Sequence, residues 1–144
     1  MIIDSNAIFL DSKNVTSSAI TGDPVALTHL FKPGRAEPVR VCVKVLEDFA
    51  GGTSVNFTLK ESDSKDGSYT AVDGGSVDVT TASLAKGKII GWRFLPSGVK
   101  KQWLKMTATP TGTFTAGSVF AAVVREEEQA YEEGMFIDAG FVKG

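Results

Sequence analysis

Apolar and polar residues alternate with period two along most of this chain, and helical spacing is nowhere sustained. In "VRVCVKVLEDF" (39–49), Val39, Val41, Val43 and Val45 fall on one face, and Arg40, Cys42, Lys44 and Leu46 on the other. β-Branched side chains crowd a pleat comfortably, so the segment predicts a strand. "VNFTLKES" (55–62) alternates again, with Val55, Phe57 and Leu59 inward. The Gly-rich "AGGTS" (50–54) between the two runs predicts an antiparallel hairpin. Asp66 with Gly67 and Gly74 with Gly75 mark two further turns. They bracket a short strand at 69–72 and precede another at 77–80.

The remaining elements follow the same logic. "TASLAKGK" (81–88) is a connection or a single helical turn, and "IIGWRFLP" (89–96) is an apolar strand stopped by Pro96. "QWLKMTAT" (102–109) is the next strand, "PTGTFTAG" (110–117) a loop, and "SVFAAVV" (118–124) a buried last strand. Ala121 and Ala122 in that strand imply close approach to another sheet. Short strands are expected near 8–10, 15–19 and 25–30, broken at Gly22-Asp23-Pro24 and Lys32-Pro33-Gly34. About eight short strands and no convincing helix predict an all-β chain: a single antiparallel β-sandwich, jelly-roll-like, with extended N- and C-terminal arms. The sandwich is expected over residues 1–124, with an N-terminal arm at 1–10 and a tail at 125–144.

Totals narrow the function. With 144 residues the chain suits one domain with an adequate core. No apolar run reaches the ~20 residues of a membrane span. The opening "MIIDSNAIFL" lacks the basic n-region of a signal peptide. One cysteine, Cys42, gives no internal disulfide and fits a reducing compartment. A net charge of −2 and scattered basic residues disfavour nucleic-acid binding.

Catalytic chemistry is scarce. His29 is the sole histidine and reads as a partly exposed strand residue. Cys42 lies among valines, where an inert buried thiol is expected rather than a reactive thiolate. "ESDSKDGS" (61–68) has a superficial likeness to a calcium loop. Its acids and Gly67 are misplaced for an EF-hand, so a tight hairpin turn explains it better. No G-x-S-x-G elbow or phosphate-binding loop is present. The expectation is a protein without catalysis, metal or cofactor. Trp92 and Phe94 share a face with Ile90 and read as core, whereas Trp103 is the candidate exposed ring. It supports one alternative, a β-sandwich carbohydrate-binding module on a virion or cell surface.

The termini are the unusual feature. "REEEQAYEEGMFIDAGFVKG" (125–144) sets Met135, Phe136, Ile137 and Phe141 behind a run of acid. Met1, Ile2, Ile3, Ile8, Phe9 and Leu10 form a similar cluster at the other end. Such groups must be buried somewhere, against their own sandwich or another subunit. Contacts between chains are the reading preferred here.

Four segments carry a family likeness: "MIIDSNAIFLDSKNVTSSAITGDPVAL" (1–27), "GRAEPVRVCVKV" (34–45), "FTLKESDSKDGSYTAV" (57–72) and "LPSGVKKQWLKMTATPTGTFTAGSVFAAVV" (95–124). In them the chain resembles the capsid cement proteins, also called decoration or stabilisation proteins, of tailed bacteriophages. The motifs are turns and strand starts rather than a site, and the acidic tail departs from the pattern. The resemblance implies a jelly-roll-like sandwich that binds the outer surface of an icosahedral head without catalysis. It implies a homodimer or homotrimer placed where major capsid protein subunits meet, made in the host cytoplasm and ending in the virion. Ile2, Ile3, Phe9, Leu10, Trp103, Phe136, Ile137 and Phe141 are the expected interface residues, with neither nucleic acid nor membrane as a partner.

Overall fold

The computed structural model describes residues 5–27 and 39–124. A 3-10 turn (Ser5–Ala7) leads into β1 (Ile8–Asn14), β2 (Ile20–Thr21), β3 (Val25–Ala26), β4 (Arg40–Ala50) and β5 (Ser54–Ser62). Then come β6 (Thr70–Thr80), a second 3-10 turn (Thr81–Ser83), β7 (Ile89–Ile90), β8 (Trp103–Thr111) and β9 (Ala116–Val124). One sheet runs β1-β9-β4-β7; the other runs β2-β8-β5-β6, with β3 also on β8.

This order is a jelly roll. β2 and β3 pair the same strand, Ile20 with Ala108 and Val25 with Leu104. They are two halves of one strand interrupted at Gly22-Asp23-Pro24, where Pro24 has no N–H to donate. Counted so, the strands pair first with last, second with second-last, and onward to the β5–β6 hairpin at the middle. The chain is thus one long hairpin rolled up. The roll closes where β9 meets β4 and β8 meets β5. Val41, Val43 and Val45 from one sheet face Val55, Phe57 and Leu59 from the other, all fully buried in a single core.

Several sequence expectations change. The two best strands, β4 and β5, do not form a hairpin; they lie in different sheets. Ala50 still pairs Ala116 in the first sheet, and Ser54 already pairs Thr80 and Thr111 in the second. The intervening residues arch across the core. Gly51 sits at φ +102, and the Gly52 carbonyl accepts from the Thr81 hydroxyl at 2.8 Å. An arch and a hairpin both demand glycine, and alternation is the same for either, so the sequence signal is degenerate.

Residues 70–80 are one strand rather than two. Between Thr58 and Lys60 the partner on β6 skips from Ser76 to Ala71, so Asp73-Gly74-Gly75 is a wide bulge, not a turn. The apolar run 89–96 shortens to β7 because Gly91 adopts φ +76 and interrupts the pairing, which resumes as the isolated Arg40–Phe94 bridge. β8 continues through Pro110, which pairs Val55. The expected strand at 15–19 is irregular, since β1 runs on to Asn14.

The expected N-terminal arm is corrected in part. Ile8 to Leu10 belong to β1, hydrogen-bonded to β9. Residues 1–4, His29 and the tail 125–144, for which the sequence also carries expectations, lie outside the described residues.

Candidate interaction surface

The two outer faces of the sandwich differ in chemistry. On the outer face of the β2-β8-β5-β6 sheet, polar side chains bond one another. Asn56 Nδ2 donates to Ser76 Oγ and to Asp78 Oδ1, each at 3.0 Å, and Thr58 Oγ1 donates to Asn56 Oδ1 at 2.6 Å. Lys105 Nζ lies 4.5 Å from the Tyr69 ring centroid, and the Tyr69 hydroxyl donates to the Lys65 carbonyl at 2.8 Å. Apart from the buried hydroxyl of Thr107, these groups bond one another, and the surface suits water.

The outer face of the β1-β9-β4-β7 sheet is apolar. Strand register puts Cys42 opposite Ala122, Ala122 opposite Ile8, Arg40 opposite Val124, and Lys44 opposite both Phe120 and Ile89. Partners across a strand pair share a face, so these side chains all project away from the core. Cys42 and Ala122 are 0 % exposed and Val124 is 4 % exposed, with Ile8, Ile89 and Phe120 packed around them. This is a second hydrophobic cluster, built on the outside of the sandwich. Two cations are set into it: Arg40, beside Val124 and with its guanidinium 5.1 Å from the Phe94 ring centroid, and half-buried Lys44, between Phe120 and Ile89. Its larger side chains, Ile8, Ile89 and Phe120, remain partly exposed, which makes this the apolar surface patch of the described sandwich.

Cys42 is the buried, inert thiol that the sequence suggests. Burial pushes its pKa up from 9.0, and the positive charge of Lys44 pulls it partly back. A protonated thiol there is a small apolar group.

Of the eight anticipated interface residues, the described structure contains Phe9, Leu10 and Trp103, and it does not bring those three together on one surface. Phe9 and Leu10 are 0 % exposed in the main core. The reason is a bulge: Ile8 pairs Ala122 while Leu10 pairs the adjacent Ala121, so Phe9 and Leu10 both turn inward. Their place is between the sheets, and among the described residues of that cluster only Ile8 reaches the outer apolar face. Trp103 is half-buried at the start of β8, opposite Ser62 and Ala26, on the other sheet. Ile2, Ile3, Phe136, Ile137 and Phe141 lie outside the described residues. Sequence reading missed Ile89 and Phe120. The signal was present, since Ile89 and Ile90 cannot both face inward on one strand and Phe120 alternates with inward Val119 and Ala121.

The loop 91–101 is held by the opposite sheet. Buried Glu61 accepts from the backbone N–H of Lys100 at 2.7 Å and of Lys101 at 3.1 Å. Lys101 Nζ pairs with Asp63 at 3.3 Å, and Trp92 Nε1 donates to the Gly74 carbonyl at 3.3 Å. Glu61 and Asp63 therefore anchor a loop, and the Gly67 N–H, donating to the Ser64 carbonyl at 3.2 Å, closes the hairpin turn. Among the described residues no group of three His, Cys, Asp or Glu is placed to hold a metal ion. A depression of about 230 Å³ beside Asn14, Thr16, Glu47 and Thr115 brings together none of the sequence candidates.

Among known families, the model of the Bbp16 family matches residues 9–124, which spans almost the whole described sandwich. No curated protein matches the sequence.

Proposed function

The chain belongs to the Bbp16 family, a phage-related family, and from that premise we propose that it is a structural protein of the phage particle. In this reading it binds the outer surface of the head and stabilises the lattice of major capsid protein against the pressure of packaged DNA. It acts by binding rather than by catalysis, as a homodimer or homotrimer seated where capsid subunits meet. The observation that carries the reading is the contrast between the two outer faces: one polar, with side chains bonded to one another, the other an apolar cluster around Cys42 and Ala122 with Arg40 and Lys44 set into it.

Mass action then supplies the stabilisation. A ligand that binds only the assembled shell stabilises it by about 2.7 kcal/mol per site when present at a hundredfold excess over Kd. Repeated over many sites, modest clamps resist expansion of the whole lattice. A rigid jelly roll suits that task because little conformational entropy is lost on docking.

The test is co-sedimentation of the purified full chain with expanded heads that lack it, followed by thermal disruption of the heads. Saturable binding at micromolar concentration together with a raised disruption temperature is expected. Heads that neither retain the protein nor gain stability overturn the proposal.

A further inference from the structure

The outer apolar cluster lies where the tail begins, because Val124 is both the last residue of β9 and a member of the cluster. Beyond it come residues 125–134, an acid-rich stretch with Glu126, Glu127, Glu128, Glu132 and Glu133 that ends in Gly134. Met135, Phe136, Ile137 and Phe141 follow. From Val124 back to Phe120 the strand covers four residues, about 13 Å at ~3.4 Å per residue. A ten-residue linker reaches up to ~33–36 Å, more than enough to reverse and lay the apolar stretch over the cluster.

Charge favours the same placement. Arg40 stands opposite Val124, at the end from which the tail leaves, and Lys44 stands further along, opposite Phe120. The acids on β4, Glu47 and Asp48, lie toward the far end, Glu47 opposite Ser118. A negative linker carrying an apolar segment thus meets positive charge first and apolar surface next.

We propose that the apolar outer face of the β1-β9-β4-β7 sheet is the docking site for the C-terminal segment of the same chain, residues 135–142. Docking within one chain profits from an effective concentration in the millimolar range for a short linker, which a second copy lacks. The tail then shields Ile8, Ile89 and Phe120 in the free protein, and any other surface that uses this face displaces it. The proposal does not depend on what the protein binds, and heads play no part in its test.

The experiment uses the full chain. An equal mixture of ordinary and heavy-isotope protein is treated with a zero-length carbodiimide, and coupled peptides are read by mass spectrometry. Links from Lys44 or Lys88 to Glu132, Glu133 or Asp138 are expected within one isotope only. Links between isotopes, or no such links, overturn the proposal. The second measurement is alkylation of Cys42, the sole thiol, by a maleimide. In the double variant Phe136→Asp, Ile137→Asp, with an unchanged far-ultraviolet spectrum, the rate is expected to rise at least tenfold. An unchanged rate overturns the proposal.

Discussion

The ring of Phe49 fills the space in which a side chain at Gly117 would begin, and Gly117 adopts φ +136. The same ring meets Phe114 edge to face, with centroids 5.2 Å apart and planes at 75°. Gly52 in turn lies against the Phe114 ring. Two glycines and two aromatic rings thus lock the β4–β5 arch to the start of β9. Gly117→Ala adds overlap and backbone strain together, and is expected to remove about 2–4 kcal/mol of stability. Phe114→Ala leaves a cavity and should remove about 3–5 kcal/mol. Urea unfolding of each variant reads both losses.

Glu61 is the one buried acid in the described sandwich, and its carboxylate holds two backbone N–H groups of the 96–102 loop. Glu61→Ala leaves both donors without their acceptor, at an expected cost of about 1–3 kcal/mol. Glu61→Gln retains one acceptor oxygen and should lose less. Hydrogen exchange makes the effect local: the amides of Lys100 and Lys101 should exchange faster in Glu61→Ala, while those of β9 keep pace with global stability. Equal acceleration throughout the chain would show that the carboxylate does not hold this loop.

Thr107 presents the opposite case. Its Oγ1 is buried with no hydrogen-bond partner among the described residues, on a face where Thr58 and Thr21 flank it. Replacing the hydroxyl by a methyl group removes a desolvated polar atom with little change of shape. Thr107→Val is therefore expected to be neutral or to stabilise by up to about 1 kcal/mol. A raised midpoint of thermal unfolding checks it, and a loss above about 1 kcal/mol would mean that the hydroxyl has a partner.

The pKa of Cys42 is raised in the folded state, first by burial, against a reference of 9.0. Below about pH 9 both states hold the proton and the thiol adds no pH dependence. As pH rises above that value the unfolded chain releases the proton while the folded chain keeps it, so stability falls. The alkaline decline should be shallower in Cys42→Ala than in the unsubstituted chain. Chemical unfolding between pH 8 and 10.5 measures the two slopes; equal slopes would remove Cys42 as a contributor.

Much of this fold can be read from alternation, and the points where reading fails share a cause. The strands β4, β5, β8 and β9 were visible because apolar residues recur in them at period two, whereas β6 reads as two short strands. Which strand pairs with which was not, because Gly51 and Gly52 serve an arch as well as a hairpin. The Gly74-Gly75 pair serves a bulge as well as a turn. At Phe9 and Leu10 the failure is instructive: terminal apolar residues look like anchors, yet a β-bulge directs both into the core. The outer face was hidden for a different reason. It is assembled from β1, β4, β7 and β9, residues far apart in sequence that only the rolled topology brings side by side.

That face yields the sharpest functional prediction. If the sandwich grips the head through its apolar outer sheet, the binding energy should concentrate in a few central side chains rather than spread evenly. Phe120 and Ile89 are the large ones, and both are only partly buried by their own chain. An acidic residue at either position should leave the core intact, since neither side chain reaches it, while placing a charge in a desolvated contact. Phe120→Asp and Ile89→Asp are each expected to weaken head binding at least ~30-fold, corresponding to about 2 kcal/mol. Lys60→Asp, on the polar face of the opposite sheet, should stay within about threefold, as rim or remote charges do. Co-sedimentation across a protein titration measures all three. A strong loss from Lys60→Asp with none from Phe120→Asp would assign head binding to the other face of the jelly roll.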